Sequence, residues 1–352
     1  MRYLLALACL AWPLTAQKIK VDSLKPIPKE AELIVASAQA GEKSETEKGW
    51  PSNELYVADA EGGHLTRITC HRKLYNHFAV SPDRKMVAAS RYTGEDTNRN
   101  GTLDGMDKKV VYVIDLEHKE EWPLLPAQYQ GGWGGIDWTP DGQYIITSVV
   151  VDRKFDIYRI HPDGSGLENV TKNLHKLLGL EKPVRFVSDV SVSFDGKWIV
   201  FLCKAADQAV NRVAMMRIDG SEARFVTDGG GLEAKSAGGM WPPGDYDPEF
   251  SPDGQNVCFQ RVTGAALVGV HSSSDVMRIR IDGTDLRRLS AAGNKAVHGI
   301  CDWSADNRLV FSEWDRIERR MGPILVNADG TNYHRIAKLA NTSHVRWIPV
   351  AQ

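Results

Sequence analysis

The sequence contains few cysteines, no excess of charge and no familiar catalytic motif. Five cysteines stand among its 352 residues, and no two of them form a Cys-x-x-Cys pair. The formal net charge is −2, so no basic field is available to attract nucleic acid. Neither Gly-x-Ser-x-Gly nor His-Glu-x-x-His occurs, which excludes the hydrolases that these two motifs mark. The composition, 42% hydrophobic and 25% charged, is that of a soluble globular protein.

Long apolar runs are absent after residue 16. Residues 1–16 contain Arg2, the apolar run Tyr3–Trp12 and a small-residue end at Ala16, which together predict a secretory signal peptide. The run is too short to span a membrane well. Cys9 suggests a lipoprotein signal as an alternative. We therefore expect a periplasmic or secreted protein that has no membrane span and is a monomer.

After the signal, the chain divides into a short lead and one large domain. Residues 17–30 are rich in Lys, Pro and Glu, so we predict a tether there, followed by a β domain over 31–352. Buried free thiols are the simplest interpretation of the cysteines in this domain. One disulfide bond between them is the alternative in an oxidising compartment. These cysteines are Cys70, Cys203, Cys258 and Cys301.

Tight turns divide the domain into a repeated unit. The clearest copy starts with the short strand Asp247–Phe250 and the turn Ser251–Gly254. In this turn Pro suits the second position, Asp bonds its own backbone and Gly takes a positive φ. Asn256–Arg261 alternates like a strand, and Val276–Ile281 is the next. Asp282-Gly283 then makes a second turn before a short strand at Leu286–Leu289. Four antiparallel strands joined in this way form one blade-sized sheet.

The first turn occurs five times, with its aspartates 53–58 residues apart. Its copies are Ser81-Pro82-Asp83-Arg84, Thr139-Pro140-Asp141-Gly142, Ser193-Phe194-Asp195-Gly196, Ser251-Pro252-Asp253-Gly254 and Ser304-Ala305-Asp306-Asn307. Four-stranded units on this scale predict a β-propeller, and a sandwich with chance turns is the alternative. The first unit, from Leu33, lacks an innermost strand, and Ser343–Pro349 matches the missing piece. We therefore predict an all-β, six-bladed β-propeller whose C-terminal strand closes the first blade.

Polar and Gly-rich segments connect these units. We predict a loop over Gln39–Ser52 and a helical turn within Leu174–Leu180. The linkers between blades should lead into the innermost strands and lie on one face, where binding usually occurs. These linkers are residues 128–135, 172–185, 229–245 and 291–298.

The Ser-Pro-Asp-Gly repeat resembles the propeller of the TolB family. The resemblance covers about residues 31–350 and implies the propeller fold and a place in the bacterial envelope. TolB carries an α/β domain before its propeller, and residues 17–30 are too short for one. We therefore expect the resemblance to concern the propeller and not the whole role of TolB.

A calcium loop is the sharpest local motif. Asp96–Asp107 places oxygen-bearing side chains, a central glycine and a final acid at the spacing of an EF-hand loop. The predicted ligands are Asp96, Asn98, Asn100, Thr102, Asp104 and Asp107. Since the last of these is Asp rather than Glu and two others are Asn, we expect weak to moderate affinity and a structural Ca²⁺. A hairpin loop without metal is the alternative.

The repeat register predicts two rings of side chains at the mouth of the central channel. Four residues before each turn stand His77, Gly135, Asp189, Asp247, Ile300 and His344. Two residues before each turn stand Ala79, Asp137, Ser191, Glu249, Asp302 and Arg346. Crowded carboxylates attract a cation or a basic ligand, or raise each other's pKa. Acids that are merely hydrogen-bonded to channel water and backbone are the alternative.

Aromatic residues near the linkers form a third candidate site. Trp133, Trp241 and Tyr246 on Gly- and Pro-rich loops suit a peptide or a glycan, or they plug the seams between blades. We expect a non-catalytic binding protein for an envelope protein or glycan. The alternative is a carbohydrate-active propeller enzyme such as an oligogalacturonate-type lyase, which three clustered histidines, His77, His298 and His344, would favour.

Overall fold

The structure, a computed structural model, is an all-β protein that consists of six sheets arranged as the blades of a propeller. It describes residues 17–43, 51–70, 73–95, 97, 99, 107–152, 154–231, 243–262, 274–290, 296–315 and 319–350. The predicted fold class and number of blades are confirmed. The predicted signal peptide lies outside the described residues.

The strands follow one another blade by blade along the chain. The lead contains β1 (Ile19–Lys20), and blade one contains β2 (Leu33–Lys43), β3 (Pro51–Ala58) and β4 (Thr66–Arg67). Blade two has β5 (Tyr75–Val80), β6 (Met86–Tyr92), β7 (Lys109–Asp115) and β8 (Glu120–Pro123). Blade three has β9 (Gln130–Trp138), β10 (Ile145–Val151), β11 (Lys154–Ile160) and β12 (Glu168–Asn169).

The second half repeats this pattern. Blade four has β13 (Val184–Val192), β14 (Trp198–Ala205), β15 (Arg212–Arg217) and β16 (Ala223–Phe225). Blade five has β17 (Gly244–Phe250), β18 (Asn256–Val262), β19 (Ser274–Arg280) and β20 (Arg287–Arg288). Blade six has β21 (Ala296–Trp303), β22 (Arg308–Asp315), β23 (Arg320–Asn327) and β24 (His334–Arg335), before β25 (Thr342–Trp347). The helical pieces are α1 (Leu174–Leu177) and 3₁₀ turns at Gly229–Gly231 and Ala337–Leu339.

Each first turn is locked by its own side chains. In blade five the Ser251 hydroxyl donates to Asp253 Oδ1 at 2.6 Å and accepts from the backbone N–H of Asn256 at 2.9 Å. The fourth turn residue is left-handed, with φ of 67° at Gly254 and 63° at Arg84. Glycine adopts this conformation at little cost, whereas Arg84 also donates to the carbonyl of Ala31 and so ties the lead to blade two.

The hydrophobic core lies between neighbouring blades. Phe259 and Ile279 of blade five pack with Val200 and Met215 of blade four. Met277 and Ile281 pack against the same cluster as Ile279. Since every blade presents one apolar face to each neighbour, the ring is stable only when it closes.

The C-terminal strand closes the ring as predicted. β25 is the innermost strand of blade one and pairs antiparallel with β2, with Ile34 opposite Arg346. The helical turn predicted near Leu174 is also present, as α1.

Two predictions about the lead and the first hairpin are wrong. Residues 17–30 do not form a free tether, because β1 pairs with β8 and Leu24 is 1% exposed in the core between blades one and two. Residues 39–52 were predicted as a loop, but β2 runs to Lys43, which pairs with Pro51. In both cases pairing with a neighbouring strand overrides a polar composition. No helix among the described residues is long and apolar enough to cross a membrane.

Candidate functional site

The innermost strands bring both predicted rings to the propeller axis. The six residues four positions before the turns line one narrow space, which we call the constriction: His77, Gly135, Asp189, Asp247, Ile300 and His344. The six residues two positions before the turns line a wider space, which we call the chamber: Ala79, Asp137, Ser191, Glu249, Asp302 and Arg346. The register inferred from the turns is therefore confirmed.

Backbone irregularity places the side chains of the constriction. Each innermost strand has a register shift at this level, and φ is positive at Gly135 (71°), Asp189 (53°), Asp247 (46°) and Ile300 (41°). A side chain at Gly135 would bring its Cβ to 2.2 Å from the backbone nitrogen of Val190. For the β-branched Ile300 this conformation is costly, and such strain concentrates at functional sites. The bulges redirect one residue per strand toward the axis.

The constriction has room for about one water molecule, with a volume of about 20 Å³. Asp189 Oδ2 accepts from the backbone N–H of Asp247 at 3.4 Å. The ring centroids of His77 and His344 lie 5.5 Å apart, edge to face. This level of the channel is thus crowded by two acids from neighbouring blades and two imidazoles.

Burial sets the charge state of the constriction. Burial raises the pKa of Asp189 to about 6, and burial with the nearby charge of Asp189 raises the pKa of Asp247 well above its usual value. Burial lowers the pKa of His344 to about 4 and that of His77 well below its usual value. At neutral pH the imidazoles are therefore uncharged, and the two acids hold protons more tightly than they would in water.

The chamber is much larger, with a volume of about 350 Å³. Its rim includes residues of the turns, among them Pro82, Pro140 and Phe194, together with Val350 near the C-terminus. Phe194 is 44% and Val350 69% exposed, although both are apolar. The chamber therefore opens among the turns that join the first and second strands of the blades. This differs from the expectation that binding would take place on the face of the linkers.

Arg346 connects the acids of the chamber. Its Nη2 donates to Glu249 Oε1 at 2.8 Å, its Nη1 donates to the carbonyl of Ile136 at 2.9 Å, and its Nε lies 3.5 Å from Asp302 Oδ2. Burial raises the pKa of Asp302 and raises the pKa of Glu249 well above its usual value, and Arg346 opposes both shifts. One cation thus faces several buried carboxylates.

Two aspartates of the chamber also join the blades. Asp137 accepts from the backbone N–H of Trp138 at 2.9 Å and from that of Val192, in the next blade, at 2.8 Å. Asp302 accepts from the backbone N–H of Trp303 at 3.0 Å and from that of Trp347, in blade one, at 2.7 Å. These two acids therefore have a structural role, whereas the contacts of Glu249 involve side chains.

The predicted site of loop aromatics does not form as expected among the described residues. Tyr246 is not an exposed loop residue, because it lies in β17 and packs with Leu202 and Val262. Trp133 lies within β9 rather than in a loop. Trp241 lies outside the described residues. The prediction for Tyr246 was wrong because Pro and Gly before it mark the start of a strand rather than a loop.

Of the predicted calcium loop, Asp96–Asp107, the structure describes residues 97, 99 and 107. Asp107 is 1% exposed, and its Oδ1 accepts from the backbone N–H of Thr97 at 2.8 Å. The remaining predicted ligands lie outside the described residues: Asp96, Asn98, Asn100, Thr102 and Asp104. The contact joins Thr97, which follows β6, to Asp107, which precedes β7.

Sequence reasoning missed the aromatic wall of the chamber. Trp138, Trp303 and Trp347 each stand one residue before a turn or its equivalent, and all three line the chamber. The recurrence of Trp at this position in three of six innermost strands is the signal that could have revealed them.

Comparison with known proteins agrees with this architecture. The chain is a six-bladed β-propeller with a TolB-like fold. It superposes on TolB from Acinetobacter baumannii with a TM-score of 0.60 at 13% identity, covering 91% of this chain and 67% of that one. The putative TolB from Agrobacterium tumefaciens gives 0.55 at 16% identity, covering 92% of this chain and 100% of that one.

Other likenesses are less specific. An oligogalacturonate lyase from Vibrio parahaemolyticus shares the fold with a TM-score of 0.50 at 11% identity, covering 91% of this chain and 86% of that one. An uncharacterized protein of Agrobacterium fabrum is 29% identical over 235 residues, which are 66% of this chain and 67% of that protein. No family model matches the chain. At these identities the solved structures establish the fold, and function depends on the site.

Proposed function

We propose that the protein is a non-catalytic, TolB-like propeller that binds a protein or glycan of the bacterial envelope in its central channel. The observation that supports this most strongly is the chamber, which combines an exposed apolar rim with a polar floor around Arg346. Ligand sites are typically apolar concavities with a few fixed polar groups. The envelope location rests on the signal sequence at residues 1–16 and on the TolB-like fold.

The position of His298 favours binding over a lyase activity. His298 Nε2 lies 3.0 Å from Glu313 Oε2 of blade six, and its Nδ1 lies 2.9 Å from the carbonyl of Ser274 in blade five. It is thus not a third member of the His77–His344 pair in the constriction. Among the described residues no group of three His, Cys, Asp or Glu side chains is placed to hold a metal ion.

Charge provides a second reason. Oligogalacturonate is a polyanion, and an anionic substrate would meet Glu249, Asp137 and Asp302 against the single cation Arg346 in the chamber. The channel is better suited to a neutral or cationic group.

Affinity capture from envelope extract, together with glycan-array screening, tests this function. Wild type should retain a ligand, and Asp247→Asn with Glu249→Gln should reduce affinity about tenfold or more if each charge-assisted contact contributes about 1–3 kcal/mol. Calorimetry at low and high salt measures the change, since screening should weaken the wild-type interaction. The matched control is Glu222→Gln, which removes an exposed glutamate paired with Arg217 at 3.1 Å. A ligand that binds wild type and the channel variants with equal affinity would show that its site is not the channel.

We also propose that Asp96–Asp107 holds a structural Ca²⁺. The buried position of Asp107 and its contact with Thr97 are compatible with a closed loop around an ion. Added Ca²⁺ should raise the melting temperature by mass action, and Asp96→Ala with Asp104→Ala should abolish the increase. If wild type shows neither a shift nor heat of binding at millimolar Ca²⁺, the segment is a hairpin connection only.

A further inference from the structure

A groove leads outward from the chamber between blades two and three. It shares Pro82, Trp138 and Pro140 with the chamber and continues along Met86 and Pro162. Its volume is about 410 Å³, similar to that of the chamber. Chamber and groove therefore form one continuous depression that runs from the propeller axis toward its edge.

The depression is apolar along its walls and acidic overall. Asp83 and Asp141 line the groove, and no lysine or arginine is among the described residues that line it. Among the described residues that line the chamber, three acids stand against one cation, Arg346. A ligand that complements this surface carries positive charge between apolar groups.

The indole N–H groups of the three chamber tryptophans differ in their hydrogen bonding. The indole N–H of Trp138 donates to the carbonyl of Ala79 at 3.1 Å, which closes the seam between blades two and three. The indole N–H groups of Trp303 and Trp347 are buried and have no acceptor among the described residues. Trp303 is only 3% exposed, so its unpaired donor lowers stability.

We propose that the chamber and groove bind an extended polypeptide segment that carries a lysine or arginine between apolar residues. The basic side chain enters the chamber toward Glu249, and the flanking residues lie along Pro82, Pro140 and Met86 in the groove. A polypeptide fits better than a glycan because Trp138 and Trp303 are buried and the Arg308 guanidinium lies over the ring of Trp347, 4.8 Å from its centre, which leaves little open ring face for sugar stacking. This inference rests on the proposed binding function and names the partner class.

A positional-scanning library of heptapeptides with capped ends tests the inference with defined probes. Selection on the full-length wild-type protein should enrich Lys or Arg at one position, with apolar residues or proline beside it. For the best peptide, replacing the basic residue by norleucine should weaken binding about tenfold, as expected for a charge-assisted contact. Glu249→Gln should weaken the parent peptide to a similar extent and leave the norleucine analogue unchanged. Salt should weaken the parent peptide much more than the analogue.

Matched variants separate the groove from general effects on the fold. Pro140→Ala should weaken binding several-fold, whereas Pro252→Ala alters the equivalent turn of blade five, outside the depression, and should not. Glu222→Gln controls for loss of a paired glutamate. Selection of no peptide, enrichment of acidic peptides, or equal effects of Pro140→Ala and Pro252→Ala would overturn the inference. If glycans bind in a manner that depends on Glu249 while no peptide is selected, the proposed binding function stands and the peptide inference is wrong.

Discussion

The constriction and the chamber belong to the same six strands, two residues apart, yet they handle buried acids differently. In the chamber, Arg346 donates to Glu249 and lies beside Asp302, so ion pairing offsets part of the cost of burial. In the constriction, Asp189 accepts a backbone N–H and its neighbours include two uncharged imidazoles. Rings that look alike in the sequence are thus an ion-paired network at one level and a pair of buried acids beside uncharged imidazoles at the other.

This difference indicates separate roles for the two levels. The chamber pairs its acids with Arg346 and with backbone N–H groups and opens to solvent through an apolar rim, which suits ligand binding. The constriction is barely larger than a water molecule and keeps its imidazoles uncharged. It therefore narrows the channel beside the chamber and has no room for more than a small part of a ligand.

Deleting Thr342–Gln352 should have the largest effect, because it breaks both levels at once. The segment contains the closing strand β25, which contributes His344 to the constriction and Arg346 to the chamber. Its loss exposes the edge of β2 and the apolar flank of blade one, so the protein should unfold or aggregate. Circular dichroism and thermal melting measure this outcome. A truncated protein that keeps its melting temperature would show that ring closure is not needed for stability.

Arg346→Met should destabilise the chamber level alone. The substitution leaves buried carboxylates without their cation, which costs about 3–5 kcal/mol at neutral pH when a buried pair is broken. The loss should shrink as the pH falls, because Glu249 and Asp302 then become protonated. Urea unfolding at several pH values checks this.

Arg346→Lys serves as the control for that variant. It keeps the charge but cannot reproduce the three directed contacts, so its destabilisation should be smaller. If Met and Lys at this position destabilise equally at every pH, the packing of the side chain matters and its charge does not.

Asp189→Asn should have a smaller effect that depends on pH with a defined sign. Because the pKa of Asp189 is raised to about 6 in the folded protein, its contribution to stability is complete below about pH 4 and is lost as the pH rises through 6. The variant lacks this loss, so its stability relative to wild type should increase between about pH 4 and 6, by up to about 3 kcal/mol. Denaturant unfolding across this range measures the slope.

His344→Gln should change the slope of stability against pH in the direction opposite to Asp189→Asn. The pKa of His344 is lowered to about 4, so wild type loses stability as the pH falls from about 6.5 toward 4, and the variant should not. Glu222→Gln, at an exposed site, should alter neither slope. Parallel slopes for Asp189→Asn, His344→Gln and wild type would mean that the constriction does not titrate as its burial implies.

Much of the fold and part of the site could be predicted because the turns mark the register. Once Asp83, Asp141, Asp195, Asp253 and Asp306 are aligned, counting backward along each strand identifies the residues on the axis. The prediction failed where long-range pairing decided the outcome, as for Leu24 in the lead and Tyr246 in β17. Neither the burial of Leu24 between two blades nor that of Tyr246 beside Leu202 leaves a local mark in the sequence.

By itself, the sequence determined the number of blades, the turns, the closing strand and the membership of both rings, because each of these follows from a short repeated pattern that acts locally. Only the tertiary structure decided what the rings became. The pairing of Arg346 with Glu249, the uncharged imidazoles of the constriction and the opening of the chamber among the turns all depend on distances between different blades. Such distances, and the loss of water that accompanies them, arise only when the six blades close around one axis.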